Sequence, residues 1–502
     1  MNEALQTAIA SVSQPDVLLV ILCSAAYGIF VGAIPGLTAT MAVALMVPLT
    51  FFLSDIQAVA AIVTTVTCSI FAGDIPATLI RIPGTPASAA YAADAYKMTR
   101  QGEHQWALGL SLTFSVIGGL FGVLVLATAA PLLAKFASRF TSFEYFWLFV
   151  LGLTCAATVS GQSLSKASFA LFFGMLLSTV GLGADYSLPR LTFGFPELIT
   201  GINFIPAMIG LFGVSEILRN ALVMRNDPDS VKDAEASSHA ANTKPLTGLI
   251  PYAMKRSVAL VRSSTIGSFI GMLPGAGADI AAWISYAVSR KFSRHPEKYG
   301  EGSEEGLSDA TGANNAALGS AWIPALVFGI PGDSVTAIAL GVLLMKNISP
   351  GPDIFDVTKP QAILVYSIYV AFVLANLMLI PLGLLAIKTG SLLIRIPRRV
   401  LLPLILLFCI VGSYAMNGSY FDVGIMLVMG VIGFVFDRFK VPLGPVVLGI
   451  ILGGEVEHRF IQCIQQIESP LDFVGSGISI AIACFCIVLW LSPLFRRKPV
   501  AE

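Results

Sequence analysis

Charged residues are scarce in this chain. Asp, Glu, Lys and Arg make up 12% of its 502 residues, against roughly 25% in an average soluble domain. Hydrophobic residues make up 56%, and the mean hydropathy is +0.81. This balance excludes a soluble enzyme and predicts an all-α polytopic membrane protein, with room for roughly 10 to 14 membrane segments.

The residues that serve nucleotide and metal chemistry are also lacking. No Gly-Lys dipeptide occurs, so the chain has no Walker A loop for ATP. Its four histidines form no HExxH motif and its seven cysteines no CxxC motif, which argues against a zinc site or a disulfide framework. Equal numbers of basic and acidic residues, 30 each, leave no basic face for nucleic acid. We therefore expect neither an enzyme nor a resident cofactor.

Positive charge is absent from the N-terminus, where the first basic residue is Arg81. A cleavable secretory signal needs a basic start, so the apolar run at 17–33 is predicted to be a retained membrane segment. Further along, Lys and Arg occur at 388–399, are missing from 417–420 and return at 438–440. Because cytoplasmic loops retain basic residues, the loop 417–420 is predicted to be periplasmic.

The most polar stretch, 219–247, divides the chain. It is predicted to be a cytoplasmic linker, because residues 219–256 hold six basic residues. On either side we expect a first membrane repeat at 1–218 and a second at 248–502. One loop, 131–142, is assigned to the outside although it holds Lys and Arg.

Two gapless internal matches suggest a duplication. Residues 28–44 align on 267–283, and residues 75–92 align on 323–340, each with seven identities. If each half crosses the membrane an odd number of times, as the loop charges indicate, the two repeats are inverted. Inverted repeats with interrupted helices are typical of secondary transporters.

Each match carries one Pro-Gly pair in each half. The pairs are Pro35-Gly36 with Pro274-Gly275, and Pro83-Gly84 with Pro331-Gly332. Proline removes an amide hydrogen and glycine adopts conformations that other residues avoid, so each pair is predicted to interrupt a helix. We expect a re-entrant hairpin at the first pair of each half and a broken helix at the second, facing one site near the membrane midplane. Ordinary helix kinks are the alternative.

Polar residues cluster at these breaks. Helix starts attract anions, whereas hydroxyl, amide and carboxylate oxygens suit a sodium ion or a proton. The predicted substrate-binding residues are Gly36, Thr38, Arg81, Gly84, Thr85, Gly275, Gly277 and Gly332. The predicted ion-binding residues are Thr40, Asp279, Asn314, Asn315, Asp333 and Ser334.

Structural roles are open for some of these side chains. Asp333 is also suited to cap a helix from a buried position. Asn314 and Asn315 are suited to join helices by hydrogen bonds. Arg81, which suits carboxylate recognition, is equally suited to snorkel toward the membrane surface or to form an ion pair.

Four stretches carry a resemblance to a known family: GIFVGAIPGLTAT, GDIPATLIRIPGTPASAA, GMLPGAGAD and GANNAALGSAWIPALVFGIPGDS. In this order they resemble the large membrane subunit of the tripartite tricarboxylate transporters, the TctA family, across essentially the entire chain. The resemblance implies a bacterial inner-membrane permease that works with a small membrane subunit and a periplasmic solute-binding protein. It implies import of a carboxylate on an ion gradient, and leaves citrate-like, dicarboxylic and aromatic acids open.

Analogy with other carboxylate symporters of this hairpin design favours an elevator movement. The helices at 106–218 and 361–454 would then form the scaffold, and the acidic stretch 455–472 is a candidate surface for the binding protein. A passive channel or a non-transporting membrane scaffold is the alternative function. An intramembrane enzyme is a third, weakened by the lack of a nucleophile and base constellation.

Overall fold

The computed structural model describes residues 2–159, 163–183, 188–226, 246–394, 398–467 and 469–495. The helices of the first half are α1 (Asn2–Val12), α2 (Pro15–Gly32), α3 (Ala39–Thr50), α4 (Asp55–Ala72), α5 (Asp74–Ile80), α6 (Ala92–Arg100), α7 (His104–Ala137), α8 (Ser142–Val159), α9 (Leu164–Ser178), α10 (Phe204–Met208) and α11 (Ser215–Asn226). Those of the second half are α12 (Leu249–Lys255), α13 (Ser257–Gly271), α14 (Gly277–Phe292), α15 (Glu304–Ser320), α16 (Trp322–Phe328), α17 (Ser334–Met345), α18 (Gln361–Ile394), α19 (Arg398–Asn417), α20 (Tyr420–Arg438), α21 (Leu443–Gln466) and α22 (Gly477–Phe495).

Other regular structure is short. A π-helical turn, Ile209–Val214, joins α10 to α11. Short 3-10 turns lie at Ser88–Ala90, Pro196–Thr200, Leu246–Gly248, Pro296–Lys298, Pro352–Phe355 and Pro470–Val474. Within the described ranges the strands are β1 (Gly181–Leu182) and β2 (Pro189–Arg190), an antiparallel pair in which Gly181 faces Arg190. The predicted all-α class is thus confirmed.

Six helical stretches are long and apolar enough to cross a membrane: Pro15–Gly32, Asp55–Ile80, His104–Ala137, Phe204–Leu222, Gln361–Gly390 and Tyr420–Arg438. Shorter apolar helices of 10–17 residues accompany them, among them α3, α9 and α17. In lipid, a helix satisfies all of its backbone hydrogen bonds internally, which is why an apolar chain of this length folds this way. The chain is a multi-pass membrane protein.

Helical structure is interrupted at all four Pro-Gly pairs, as predicted. Gly36 lies between α2 and α3, and Gly275 lies between α13 and α14, with φ angles of +87° and +77°. Gly84 follows the end of α5, and Gly332 lies between α16 and α17. A left-handed φ is readily adopted only by glycine, so the first pair in each half forms a turn that other residues would strain.

Helix ends fall at matched positions in the two halves. In the first match α2 ends at Gly32 and α13 at Gly271, which are aligned residues. In the second match α5 and α16 span aligned residues throughout, and each is followed by a left-handed residue, Arg81 or Gly329. The next long helices, α7 and α18, have 34 residues each.

Glycine packing is also matched. A Cβ added at Gly32 of α2 would lie 2.4 Å from the Ser69 carbonyl oxygen of α4. A Cβ added at Gly271 of α13 would lie 2.4 Å from the Ala317 carbonyl oxygen of α15. Each hairpin therefore packs its first arm against the following helix at backbone contact, which requires glycine there.

Polar contacts join loops that are far apart in sequence. Lys346 donates to the Leu53 carbonyl, and Arg190 pairs with Glu457 at 2.8 Å. Lys166 donates to the Phe439 carbonyl at 2.7 Å. The central part of the predicted linker, 227–245, lies outside the described residues.

Candidate functional site

A cavity of about 450 Å³ lies where the four breaks meet. Its wall includes residues 38–40 and 85–86 from the first half, and 275–280 and 333–335 from the second half. Nine of the predicted site residues line it: Thr38, Thr40, Thr85, Gly275, Gly277, Asp279, Asn314, Asp333 and Ser334. Residues far apart in sequence thus share one cavity.

Four helices begin at this cavity. They are α3, α14, α17 and α21, whose first residues or N-caps lie in the cavity wall. Helix starts present backbone N–H groups and the positive end of the helix dipole. The wall contains no Lys or Arg among the described residues that line it. Any attraction of this wall for an anion would therefore come from backbone groups and not from basic side chains.

The second half supplies two carboxylates to the wall. Asp279 of α14 accepts a hydrogen bond at Oδ1 from the backbone N–H of Ala87, at 3.0 Å. Asp333 caps α17, accepting from the backbone N–H of Thr336 at 2.8 Å. A Cβ added at Gly277 would lie 3.5 Å from the Asp333 Cβ, so both carboxylates belong to the same part of the cavity.

Asn314 adds a buried amide to this wall. It is 2% exposed, and its Oδ1 has no hydrogen-bond partner among the described residues. A buried carbonyl oxygen without a partner is costly unless a ligand satisfies it. Carboxylate and amide oxygens are the ligands that hard cations prefer. Asp279, Asp333 and Asn314 therefore suit a sodium ion or a proton.

A reciprocal pair of hydrogen bonds occurs at matched positions of the second break. In the first half the Thr85 N–H donates to Ser88 Oγ, and the Ser88 N–H donates to Thr85 Oγ1, both at 3.1 Å. In the second half the Asp333 N–H donates to Thr336 Oγ1 at 2.9 Å, and the Thr336 N–H donates back to Asp333. The same turn is closed by a hydroxyl in one half and by a carboxylate in the other.

Five predicted residues lie outside the cavity lining. Gly36 accepts a hydrogen bond at its carbonyl from Asn220 of α11 at 3.0 Å. Gly332 accepts one from the backbone N–H of Gly275 at 2.9 Å, which ties the two breaks of the second half together. Gly84 packs against Gly73.

Arg81 and Asn315 are the other two. Arg81 is exposed, in a left-handed conformation at the end of α5. Asn315 is directed to α7, where its Nδ2 donates to Ser115 Oγ at 2.9 Å. Its Oδ1 has no partner among the described residues.

Sequence reasoning missed part of the wall. Trp283 of α14 lines the cavity, is 49% exposed and donates from Nε1 to the Pro86 carbonyl at 3.3 Å. The start of α21 contributes Pro442, Gly444, Pro445 and Leu448. The available signal was the Pro-Leu-Gly-Pro run, since prolines at the first turn mark a helix start. That run lies outside both internal matches, so the repeat gave no reason to include it.

A second cavity, of about 740 Å³, lies further along two of the same helices. It is lined by the last part of α17 and by the middle of α21, with Gly341, Leu344, Met345, Ile450, Ile451 and Gly454. A dry block of apolar side chains, with no room for water, packs nearby: Ala44, Val47, Phe204, Ile205, Met208, Ile209 and Ile338. Along α17, Ile338 of this dry block lies between Ala337 of the first cavity and Gly341 of the second.

Within the described part of the chain, no group of three or more His, Cys, Asp or Glu residues could hold a metal ion. Any cation at the central cavity would therefore rest on the two carboxylates together with amide, hydroxyl and backbone oxygens.

Comparison with known sequences identifies the family. The sequence model of the tripartite tricarboxylate transporter TctA family matches residues 18–448. This chain belongs to the TctA family. The match spans every residue of the cavity wall, including the α21 start.

Two relatives come from Agrobacterium vitis. An uncharacterized 52.8 kDa protein in the TAR-I ttuC' 3' region is 33% identical over 479 residues, which cover 94% of this chain and 92% of the relative. An uncharacterized protein in the TAR-II ttuC' 3' region is 34% identical over 237 residues, which cover 46% of this chain and 96% of the relative. No solved structure matches this TctA-family chain.

Proposed function

We propose that this chain is the large permease subunit of a binding-protein-dependent secondary transporter that imports an organic carboxylate by sodium or proton symport. One observation carries the proposal: four helix starts and two carboxylates share a single cavity. The helix starts supply N–H groups for the substrate anion. The oxygens of Asp279, Asp333 and Asn314 supply the site for the coupling cation.

Coupling is required by the charge of the substrate. Each net negative charge that enters a cell at a membrane potential of 100 mV costs about 2.3 kcal/mol. The chain has no Walker A loop to use ATP. Co-transported cations would offset the cost, and they would also reduce the repulsion between a substrate carboxylate and the two aspartates.

Two inverted repeats are part of the proposal, with domains at 1–218 and 248–502. The matched helix ends, the matched glycine contacts at Gly32 and Gly271, and the matched reciprocal hydrogen bonds support a duplication. An elevator movement, in which hairpins and broken helices travel together, agrees with the bond from Gly275 to Gly332.

The dry block beside the two cavities favours a carrier over a passive channel. A channel needs a continuous wet path in its conducting state, whereas a carrier exposes its site to one side at a time. Phe204 packs directly on Gly341 of α17, where an added Cβ would lie 2.4 Å from the ring. Movement of α17 relative to α10 would therefore open or close this block.

The partners follow from the family. Members work with a small membrane subunit and a periplasmic binding protein, and we extend this to the present chain and to a bacterial inner membrane. The stretch 455–472 is the candidate docking surface for the binding protein. There Glu457 and Arg190 form a bidentate pair, at 2.8 and 2.9 Å, which holds this surface against the loop before α10.

A binding measurement on the purified chain tests the proposal. We expect labelled citrate, succinate or benzoate to bind more tightly as sodium or proton concentration rises. Asp279→Ala should abolish this ion dependence, because it removes a carboxylate from the cavity wall. The matched control is Asp353→Ala, which removes an exposed carboxylate outside the cavity. Ion dependence unchanged in Asp279→Ala would contradict the assignment.

A labelling experiment tests the inverted topology. Cysteines introduced at residue 235 and at residue 419 are treated with an impermeant thiol reagent in intact cells. We expect labelling at 419 and none at 235, because the loop charges put these positions on opposite sides. The reverse pattern would contradict the predicted orientation, and equal labelling at both positions would contradict the predicted crossings.

A further inference from the structure

Asp74 is a buried carboxylate that does not line the central cavity. It lies at the start of α5 and is 2% exposed. Its Oδ1 accepts a hydrogen bond from the Tyr91 hydroxyl at 2.6 Å, and its Oδ2 accepts one from the Ser111 hydroxyl of α7. No basic residue pairs with it among the described residues. A buried charge without a counter-charge is costly inside a membrane protein, whereas a neutral carboxylic acid is not.

The elements packed against α5 offer no further charge to Asp74. Tyr91, just before α6, and Ser111 on α7 are the groups that face it. The other ionisable groups on the packed helices make no described contact with Asp74: Asp55 and Cys68 on α4, Asp94, Tyr96, Lys97 and Arg100 on α6, His104 and Lys135 on α7, and Tyr366, Tyr369 and Lys388 on α18. Asp94 is bound by the backbone N–H groups of residues 300, 302 and 303, and Lys97 pairs with Glu301.

A short turn connects Asp74 to the central cavity. The 3-10 turn Ser88–Ala90 has Ala87 at one end and Tyr91 at the other. The Ala87 N–H donates to Asp279 in the cavity wall, and the Tyr91 hydroxyl donates to Asp74. In addition, the Gly84 N–H donates to the carbonyl of Gly73, the residue before Asp74, at 3.1 Å. Asp74 is thus connected, through Tyr91 and through its neighbour Gly73, to the segment that carries Thr85.

We propose that Asp74 is a proton-binding site of the transport cycle, separate from the carboxylates that line the cavity. A proton joins one carboxylate oxygen of Asp74 and leaves it again, and no other bond is made or broken. The neutral acid donates to the Ser111 hydroxyl while Tyr91 continues to donate to the second oxygen. Two hydroxyls are too few oxygens for a metal cation, so the site takes a proton. This proposal rests on the proposed function, and it identifies the proton as one coupling ion.

The test compares two variants in proteoliposomes that also contain the small membrane subunit and the binding protein. Asp74→Asn keeps the size of the side chain but cannot release a proton. Asp55→Asn is the matched control, because it makes the same change at an exposed carboxylate on α4 that has no described contact with Asp74. Two activities are measured with labelled citrate, succinate and benzoate: accumulation driven by a pH gradient, and exchange without any gradient.

We expect the wild-type protein to accumulate substrate up to about tenfold per pH unit for each proton carried. Asp74→Asn should lose this accumulation and retain exchange, whereas Asp55→Asn should retain both. Accumulation by Asp74→Asn at the wild-type level, or wild-type accumulation driven by sodium alone, would overturn the proposal and leave carboxylate symport intact.

Failure of the proposed function gives a different result. In that case the wild-type protein shows no exchange with any of the three acids. Infrared spectroscopy then decides the proton site independently of transport. A protonated-carboxyl band that titrates in the wild-type protein and is missing from Asp74→Asn supports it, and identical spectra overturn it.

Discussion

The two second breaks have the same backbone and different chemistry. Thr85 and Asp333 occupy matched positions, and each closes its turn by reciprocal hydrogen bonds with the residue three positions later. The first hairpins differ in the same way, since Thr40 is matched by Asp279. The first half therefore supplies neutral hydroxyls to the cavity, and the second half supplies both carboxylates.

This difference indicates that the shape and the charge of the cavity depend on different residues. Proline and glycine decide where each helix stops, and they are shared by the halves, so the halves contribute breaks of similar form. The carboxylates are not shared, so the cavity is charged on one side. We infer that the cation lies toward the second half and that the substrate extends toward Thr38 and Thr85.

The largest expected effect comes from the first Pro-Gly pairs. In Gly275→Leu the new Cβ would lie 2.6 Å from the Ala156 Cα, and the left-handed φ of +77° adds strain. Because the obstacle is backbone, we expect uptake below about a tenth of wild type with normal membrane insertion.

Gly36→Leu sharpens this prediction. Its new Cβ would meet the Asn220 side chain, at 2.5 Å from Oδ1, and a side chain can move away. We expect uptake to fall here too, but less than in Gly275→Leu. The control is Gly424→Leu, at a position with open space. Normal uptake by Gly275→Leu would reduce the break to an ordinary kink.

The next largest effect is expected on the ion dependence of uptake, in a comparison of Asp333→Ala with Thr85→Ala. Loss of a carboxylate ligand should weaken the dependence of uptake on sodium or proton concentration by about tenfold or more. Loss of the matched hydroxyl should change it by less than about threefold. Initial uptake rates over a range of cation concentrations measure both. Equal effects of the two substitutions would contradict the one-sided charge of the cavity.

Alanine substitutions at Gly84 and Gly332 are expected to have a smaller effect, which is confined to stability. An added Cβ would lie 2.5 Å from the Gly73 Cα in Gly84→Ala, and 2.9 Å from the Ala321 Cβ in Gly332→Ala. Gly73 and Ala321 are themselves matched positions. We expect each variant to lose about 1–3 kcal/mol of stability, measured by thermal unfolding in detergent. A loss in one variant only would show that the two breaks are not packed alike.

The smallest effect is expected at Arg81, which replaces the left-handed Gly329 of the second half. Arg81→Gly should relieve the strain of a φ of 56° and raise stability by up to about 1 kcal/mol. Because Arg81 is exposed and lies outside the cavity wall, KM for the carboxylate should stay within about twofold. A tenfold rise in KM would instead establish the predicted contact between its guanidinium and the substrate.

Much of the site could be predicted from the sequence, because its signals are local. A Pro-Gly pair followed by Thr or Asp identifies both the break and its polar neighbour, and nine of the fourteen predicted residues line one cavity. Contacts between distant elements gave no such signal. The direction of Asn315 toward Ser115 depends on how α15 and α7 pack. The partners of Asp74 come from two other elements, and the position of Trp283 depends on the Pro86 carbonyl.

The central claim is that this chain carries a carboxylate together with a cation, by way of the cavity at the four breaks. Substrate accumulation in proteoliposomes with both partner proteins tests it most directly. We expect labelled carboxylate to rise above its external concentration under an inward sodium or proton gradient, and to stop accumulating when ionophores collapse that gradient. Uptake that proceeds at the same rate after both gradients are collapsed would contradict the claim and favour a passive channel.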